Sequence, residues 1–252
     1  MADGRHHDAP RRRRRRRREM TALLASVRSA DEARTALSAG AGIIDAKEPA
    51  AGALGAVDAT TLAAIVAAVA RRRPVSATVG DVPFDFDLLH AAVARTIAAG
   101  VDFVKIGMFD TVQDRDARAT ALRLQRAFPS ARLVAVILAD RRPMPEWVPM
   151  FGACGWHGVM LDTADKARGS LRDQLSPLQL ARFALAARSA GLLFGLAGSL
   201  REDDIEPLLP LRPDYLGFRG ALTAGRGRDR PLVFDAVARI ETRIGAGRRR
   251  AA

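Results

Sequence analysis

Short apolar runs alternate with amphipathic segments eight times from Met20 onward, and this alternation restricts the fold more than any other feature of the chain. The apolar runs are rich in Val, Ile and Leu, without polar–apolar alternation, which is typical of parallel strands buried on both faces. The predicted strands are Leu23–Val27, Gly42–Ala46, Pro74–Val79, Phe103–Met108, Leu133–Leu138, Gly158–Leu161, Leu192–Ala197 and Tyr215–Phe218.

The segments between these strands carry the signals of helix starts and ends. The stretch "SADEARTALSAG" opens with a serine cap and closes with glycine, while "SPLQLARFALAARSAG" places Ser176 as the cap and Pro177 at the first helical position. Eight strand–helix units that close on themselves give a single (β/α)8 TIM barrel, and 252 residues suit one such domain. A doubly wound open sheet is the competing architecture, but no glycine-rich fingerprint follows the first strand.

The formal net charge of +12 is concentrated at the two ends of the chain. Residues 1–19 contain eight consecutive arginines, which repel one another and predict a disordered basic leader. A basic tail follows at 248–252, so the predicted catalytic domain, 20–247, carries a formal charge of only +3. The leader is either an arm for nucleic acid or another anionic surface, or an over-extended gene start with Met20 as the initiator. The apolar strand directly after Met20 favours the second interpretation.

Cysteine usage and hydropathy limit the cellular setting. Cys154 is the only cysteine, which excludes an internal disulfide framework and a thiolate-rich zinc site, and predicts a reducing, cytoplasmic location. The longest apolar runs, such as "LAAIVAAVA", fall well short of the roughly 20 residues that a membrane-spanning helix needs, so no membrane association is expected.

Polar residues follow most of the predicted strands, at the barrel end where catalysis takes place in this fold. Asp45 and Lys47 end the second strand and, two residues apart, lie on the same side of it. Lys105 lies within the fourth strand, and Asp162 ends the sixth. Further polar residues at or beyond these ends are Asp81, Asp140 and Lys166. Asp81 and Asp140 are weaker candidates because they could simply terminate strands.

Only three of the 40 basic residues are lysines, namely Lys47, Lys105 and Lys166, and all three lie within or just after predicted strands, with none on a predicted helix. A guanidinium keeps its proton to very high pH, whereas burial or a second cation can bring an ammonium towards neutrality. Chemistry that needs a free amine, such as Schiff-base formation or proton abstraction, must therefore keep lysine. The lysines could also be ion-pair partners of the aspartates, a role that arginine would usually fill.

The ends of the seventh and eighth strands are where TIM barrels commonly bind phosphate, through backbone N–H groups. Here the sequence predicts a phosphate site built from Gly198, Ser199, Arg219, Gly220 and Ala221. His90 and His157 are predicted to be structural, since no pair of histidines has metal-ligand spacing. We therefore expect neither a metal nor another cofactor.

Several motifs together resemble one enzyme family. They are, in order, "SVRSADEA", "GIIDAKEPAAGALGA", "PVSATVGDVP", "DFVKIGMFD", "GVMLDTADKARGSLRDQLS", "GLLFGLAGSL" and "YLGFRGAL". Between about Ala22 and Asp235 the chain resembles the (5-formylfuran-3-yl)methyl phosphate synthases, also called 4-hydroxymethyl-2-furancarboxaldehyde-phosphate synthases. The combination of D-x-K-x-P…G-x-L-G with S-A-T-x-G-D is far more specific than a lone glycine motif.

The resemblance implies a lyase that condenses two molecules of glyceraldehyde 3-phosphate, with loss of one phosphate and water, to supply the furan ring of methanofuran or its bacterial relative. It implies that Lys47 forms a Schiff base with the substrate and that Lys105 transfers protons. Asp45, Asp162 and Lys166 match further active-site positions. This agrees with the chemistry of the residues, since a protonated imine acidifies the neighbouring C–H and the resulting enamine can attack a second aldehyde.

Two alternatives to this function remain at this point. Another class I aldolase, such as a deoxyribose-phosphate-type enzyme, would share the lysine chemistry but not the "DAKEP…GALG" context. Nucleic-acid binding through the arginine arm ranks last, because only 5% of residues are aromatic and the near-neutral body offers little for base stacking. A homo-oligomer is compatible with the sequence, which fixes no number of subunits.

Overall fold

The computed structural model describes residues 21–109 and 115–251. Eight parallel strands, β1 to β8, form a closed barrel in chain order, which confirms the predicted fold class. The strands are Ala22–Val27, Ile43–Ala46, Val75–Thr78, Phe103–Met108, Leu133–Leu138, Gly158–Asp162, Leu193–Leu196 and Tyr215–Phe218. Three of them have the predicted bounds, and the others differ from prediction by at most one residue at either end.

The α-helices of the described residues, α1 to α9, lie outside the barrel or in its loops. They are Ala30–Ser38, Ala59–Val69, Phe86–Ala98, Arg115–Ala127, Val148–Ala153, Leu171–Gln174, Pro177–Ser189, Ile205–Leu208 and Phe234–Ala251. Ser29 caps α1 by accepting the N–H of Glu32, and Ser176 and Gln179 form a capping box at α7. The predicted caps are therefore confirmed.

Two short helices were missed by the sequence patterns. Helix α5, which follows β5, has Pro149 in its first turn, and α6 is a single turn after β6. A proline is compatible with the first turn but hides the apolar periodicity, and four to six residues are too few to show a period. The first takes the place of the outer helix between β5 and β6, whereas the second lies in the loop between β6 and α7.

The ends of the chain bear on the predicted domain boundaries. The predicted basic leader, 1–19, lies outside the described residues. Helix α9 continues to Ala251, so the predicted tail at 248–252 begins within the last helix. In the part of the chain that is described, no helix is long and apolar enough to cross a membrane.

The hydrophobic core has two layers, one outside the barrel and one at its floor. The larger layer packs the outer faces of the strands against the helices, through residues such as Ile65, Leu89 and Phe183. The inner layer fills the floor of the barrel with apolar and aromatic side chains that include Leu24, Val134 and Tyr215. The inner surface therefore changes from apolar at the floor to charged at the carboxyl ends of the strands.

Candidate active site

A cavity of about 290 Å³ opens at the carboxyl ends of the barrel strands. Its walls include Asp45, Lys47, Lys105 and Asp162, which the sequence predicted to be catalytic. On the opposite side it is lined by Gly198, Ser199 and Leu200 after β7 and by the residues after β8. The structure therefore brings these four predicted catalytic residues and the predicted phosphate-binding residues to one cavity.

The deeper of two buried ion pairs joins Lys105 on β4 to Asp45 on β2. The Lys105 Nζ lies 2.6 Å from Asp45 Oδ1, and the two residues are 2% and 1% exposed. Ser26 Oγ donates to Asp45 Oδ2 at 3.0 Å, and Ser76 Oγ donates to Asp45 Oδ1 at 2.6 Å. The carboxylate thus has one cationic and two hydroxyl partners, which compensate for its burial.

The register of the barrel explains this arrangement. Ser26 on β1 pairs with Asp45 on β2, and Asp45 pairs with Ser76 on β3. Paired residues on neighbouring parallel strands point to the same face, so all three side chains enter the barrel at one height. Sequence reasoning missed Ser26 and Ser76, because the strand register that brings them to Asp45 is not specified by single strands.

The second ion pair lies nearer the mouth and crosses the barrel. Lys47 follows β2 directly, and its Nζ lies 3.3 Å from Oδ2 of Asp162, the last residue of β6. Asp162 Oδ1 accepts the N–H of Thr163 at 2.7 Å, which fixes the carboxylate. Both residues of the pair are buried. Since Lys47 lies two residues beyond Asp45 on the same side of the chain, the two pairs are stacked in adjacent layers.

Burial lowers the pKa of Lys105 from its ordinary value near 10.5. The charge of Lys47 lowers it further, while the carboxylates of Asp45 and Asp162 act in the opposite direction. Two ammonium groups in one water-poor cavity disfavour each other, so Lys105 is more readily neutral than a solvent-exposed lysine. Buried ion pairs contribute little net stability, because desolvation offsets the attraction. Their presence here is therefore better explained by chemistry than by stability.

Asp81 and Asp140 are placed differently from the other aspartates and do not line the cavity. Asp81 accepts the N–H groups of Ala53 and Leu54 in the loop after β2, where Gly52 has a φ of +121°. An added Cβ at Gly52 would lie 2.2 Å from Asp81 Oδ2, so glycine is required there. The "AAGALG" motif thus forms a loop that Asp81 holds over β2.

Asp140 holds the loop after β6 in the same manner. Its two carboxylate oxygens accept the N–H groups of Ala164 and Asp165, directly before Lys166. The backbone of Lys166 begins a 3-10 turn, Lys166–Arg168, while its side chain lies outside the described residues. A direct role for Lys166 in the chemistry therefore stays a prediction.

The turns directly after β7 and β8 offer backbone N–H donors to the cavity. Gly198 and Ser199 have φ values of +101° and +48°, which turn the chain sharply after β7. Among the described residues, none accepts a hydrogen bond from the N–H groups of Gly198, Ser199, Leu200, Gly220 and Ala221. All five residues line the cavity. Unused N–H groups in a concave turn are a suitable site for a phosphate.

Arg219 is predicted to bind phosphate, but its guanidinium already has protein partners for every N–H group. Both terminal nitrogens bind the carboxylate of Glu32 on α1. The guanidinium also donates to the carbonyls of Ser26, Arg228 and Arg230, at distances of 2.8 to 3.2 Å. Any contact of Arg219 with phosphate would then involve its backbone. Sequence reasoning missed Glu32, which precedes Arg219 by 187 residues in the sequence.

His90 and His157, which the sequence predicts to be structural, both lie against aromatic rings. His90 stacks between Phe86 and Phe128, and His157 packs against Phe103. Within residues 21–109 and 115–251, no group of three or more His, Cys, Asp or Glu side chains could hold a metal ion.

Comparisons with known proteins assign the chain to a family. A family model described as 4-HFC-P synthase matches residues 23–241. The chain belongs to this family. A homologue from Methylorubrum extorquens is 41% identical over 227 residues, which cover 90% of this chain and 93% of that protein. The (5-formylfuran-3-yl)methyl phosphate synthase of Methanopyrus kandleri is 36% identical over 226 residues, covering 86% and 95%, and that of Methanothermobacter thermautotrophicus is 32% identical over 228, covering 87% and 97%.

Solved structures support the fold of this family member. KGPDC from Streptococcus mutans in complex with D-R5P superposes with a TM-score of 0.64 at 13% identity, covering 90% of this chain and 98% of that one. Thiamine phosphate pyrophosphorylase from Pyrococcus furiosus gives a TM-score of 0.62 at 10% identity, covering 92% and 98%. At such identities the likeness shows a common barrel and does not extend to activity.

Proposed function

We propose that the chain is a (5-formylfuran-3-yl)methyl phosphate synthase that condenses two molecules of glyceraldehyde 3-phosphate through a lysine Schiff base. The observation that carries this proposal is the stacked arrangement of two buried lysine–aspartate pairs in one cavity. Family membership supports the reaction, because relatives that are 36% and 32% identical to the chain carry this name. The product would serve the synthesis of a methanofuran-type cofactor in the cytoplasm.

Lys47 is the better candidate for the Schiff base. It lies nearer the mouth, and its partner Asp162 is 3.3 Å away, a looser contact than the 2.6 Å between Lys105 and Asp45. The Lys47 amine can therefore leave its carboxylate to attack the substrate aldehyde, and Asp162 is placed to move protons during loss of water from the carbinolamine. A lysine attacks a carbonyl carbon through its amine nitrogen.

Lys105 is suited to proton transfer at the substrate carbon. Its lowered pKa makes the neutral amine more accessible, and Asp45 accepts its N–H and stabilises the ammonium after the proton is taken up. An imine on Lys47 would acidify the adjacent C–H, and Lys105 in the layer below would remove that proton to give an enamine. The enamine carbon would then form a bond to the aldehyde carbon of the second triose phosphate.

The substrate phosphate would occupy the turn after β7 and the turn after β8. The free N–H groups of Gly198, Ser199, Gly220 and Ala221 supply donors without adding a cation that would compete with the lysines. A phosphate held there would fix the distance between the substrate carbonyl and Lys47, which is a main source of rate enhancement. Asp81 and Asp140 would contribute indirectly, by holding the loops that frame the mouth.

The test is to incubate the purified protein with glyceraldehyde 3-phosphate and to measure both the furan phosphate, by mass and ultraviolet absorbance, and released inorganic phosphate. We expect one phosphate for each furan phosphate formed, and neither product from Lys47→Arg. A class I aldolase of another kind would instead yield a six-carbon bisphosphate with no phosphate release. That result would replace the proposed reaction while keeping the lysine chemistry.

A further inference from the structure

The cavity contains more positive charge than its carboxylates can balance. Its described walls include six cationic residues but only the three carboxylates of Asp45, Asp162 and Glu202. Lys47, Lys105 and Arg239 pair with those carboxylates, and Arg219 pairs with Glu32 behind the wall. The two cations left are Arg201, which is exposed at the rim, and Arg228, which is partly buried.

Arg228 lies on a loop that two other arginines hold in place. Arg219 donates to the carbonyl oxygens of Arg228 at 2.9 Å and Arg230 at 2.8 Å, while Arg28 donates to that of Asp229 at 2.6 Å. Three consecutive carbonyls are thus bound by guanidinium groups, and Arg219 is itself fixed by Glu32. The loop after β8 is therefore anchored to β1 and α1, and it places Arg228 against the cavity.

The Arg228 guanidinium has no hydrogen-bond or ion-pair partner among the described residues, although the cationic side chains of the cavity other than Arg201 each have one. Burial lowers the pKa of Arg228, and the charge of Asp162 raises it, so the guanidinium lies within electrostatic range of the Lys47–Asp162 pair. A partly desolvated cation without a carboxylate is costly unless an anion joins it. The position of Arg228 therefore favours the binding of an anion.

We propose that Arg228 binds a second phosphoryl group, separate from the one held by the backbone N–H groups after β7 and β8. A planar guanidinium matches two phosphate oxygens with parallel hydrogen bonds, and this geometry suits arginine better than lysine. The ligand class is a phosphate monoester or inorganic phosphate. The identity of the ligand as the second triose phosphate rests on the proposed function, whereas the anion site itself does not.

The experiment compares the full chain with Arg228→Gln, Arg228→Lys and the matched control Arg230→Gln. Arg230 is exposed on the same loop and does not line the cavity. Calorimetric titration with inorganic phosphate at low ionic strength should give two sites for the wild type and for Arg230→Gln, but one for Arg228→Gln. The value of kcat/KM for glyceraldehyde 3-phosphate should fall about 10- to 100-fold in Arg228→Gln and recover partly in Arg228→Lys. Thermal unfolding of each variant checks that the barrel is intact.

The outcomes separate this inference from the proposed function. If Arg228→Gln keeps two phosphate sites of unchanged affinity, the inference is wrong, whatever happens to turnover. If the wild type forms no furan phosphate but Arg228→Gln still loses one phosphate site, the proposed reaction fails and the anion site stands. If Arg228→Gln loses both furan formation and one phosphate site while Arg230→Gln keeps both, the result supports the proposed reaction and the anion site.

Discussion

The two sides of the cavity mouth differ in the groups that supply their polar atoms, which are side chains on one side and the backbone on the other. The side formed by β2, β4 and β6 carries four buried ionisable side chains in two pairs. The side formed by β7 and β8 presents backbone N–H groups at turns that glycine makes feasible. Side chains can exchange protons and form covalent bonds, whereas backbone N–H groups only bind. The barrel therefore separates the side chains that take part in the reaction from the backbone groups that bind the substrate.

This separation predicts that variants on the lysine side change turnover and leave phosphate binding intact. Lys105→Arg keeps a cation beside Asp45 but removes the amine that can become neutral, so kcat should fall by about 10²- to 10⁴-fold. Steady-state kinetics with glyceraldehyde 3-phosphate measures the loss, and calorimetry with phosphate should show wild-type affinity. A variant with weakened phosphate binding and near-normal kcat would contradict the separation.

The pH dependence of kcat sharpens the same prediction. Activity that needs neutral Lys105 is lost as the pH falls through the pKa of that lysine, and burial places this acid limb below 10.5. Asp45 raises the pKa of Lys105, so Asp45→Asn should move the acid limb to lower pH while reducing the maximum rate. An acid limb that moves to higher pH in Asp45→Asn would exclude Lys105 as the titrating base.

Variants on the β7–β8 side should do the reverse. In Gly198→Ala, the new Cβ would lie 2.9 Å from Thr163 Cγ2 at a φ of +101°, which distorts the turn that carries the N–H groups. We expect KM to rise about 10-fold or more and the free energy of unfolding to drop by about 1–3 kcal/mol. Gly191→Ala is the matched control, since it shares a positive φ, but its Cβ would meet no described atom within 4 Å. Equal effects of both variants on KM would remove the phosphate role from the β7 turn.

A smaller effect is expected for loss of a serine hydroxyl that donates to Asp45. Ser76→Ala removes a 2.6 Å hydrogen bond to the buried Asp45 carboxylate and should lower the free energy of unfolding by about 1.5–3 kcal/mol. Thr96→Val is the control, because it removes a buried hydroxyl that donates only to a neutral carbonyl, that of Ala92. Its cost should be about 0.5–1.5 kcal/mol. Chemical denaturation of both proteins makes the comparison, and equal costs would mean that the Asp45 charge adds nothing to the serine contact.

The motifs predicted much of this molecule, but only where a local pattern carried the information. The strands and the positions of Asp45, Lys47, Lys105 and Asp162 follow from apolar runs and their ends. Ser26 and Ser76 could not be assigned, because their meeting at Asp45 depends on strand register, which single strands do not specify. The engagement of Arg219 by Glu32 depends on the closure of the last strand against the first, and so does the anchoring of the Arg228 loop.

The smallest predicted effect concerns Tyr215, which lies at the floor of the barrel. It is the only tyrosine of the chain, so its titration can be followed alone. Burial, followed by the charges of Asp45 and Asp214, raises the pKa of Tyr215 well above 10. The unfolded chain releases this proton near pH 10 and the folded chain does not, so stability is lost as the pH rises above 10. Tyrosinate absorbance should therefore appear near pH 10 only in urea. Its appearance near pH 10 in the folded protein would show that the floor admits water.

The central claim, that Lys47 forms an imine with a triose phosphate, is tested most directly by borohydride trapping. The protein is incubated with glyceraldehyde 3-phosphate, reduced, digested and mapped by mass spectrometry. Our account predicts one triose-phosphate adduct on Lys47, absent from Lys47→Arg and still formed in Lys105→Arg, although more slowly. An adduct on Lys105 that persists in Lys47→Arg, or no adduct on any lysine, would contradict it.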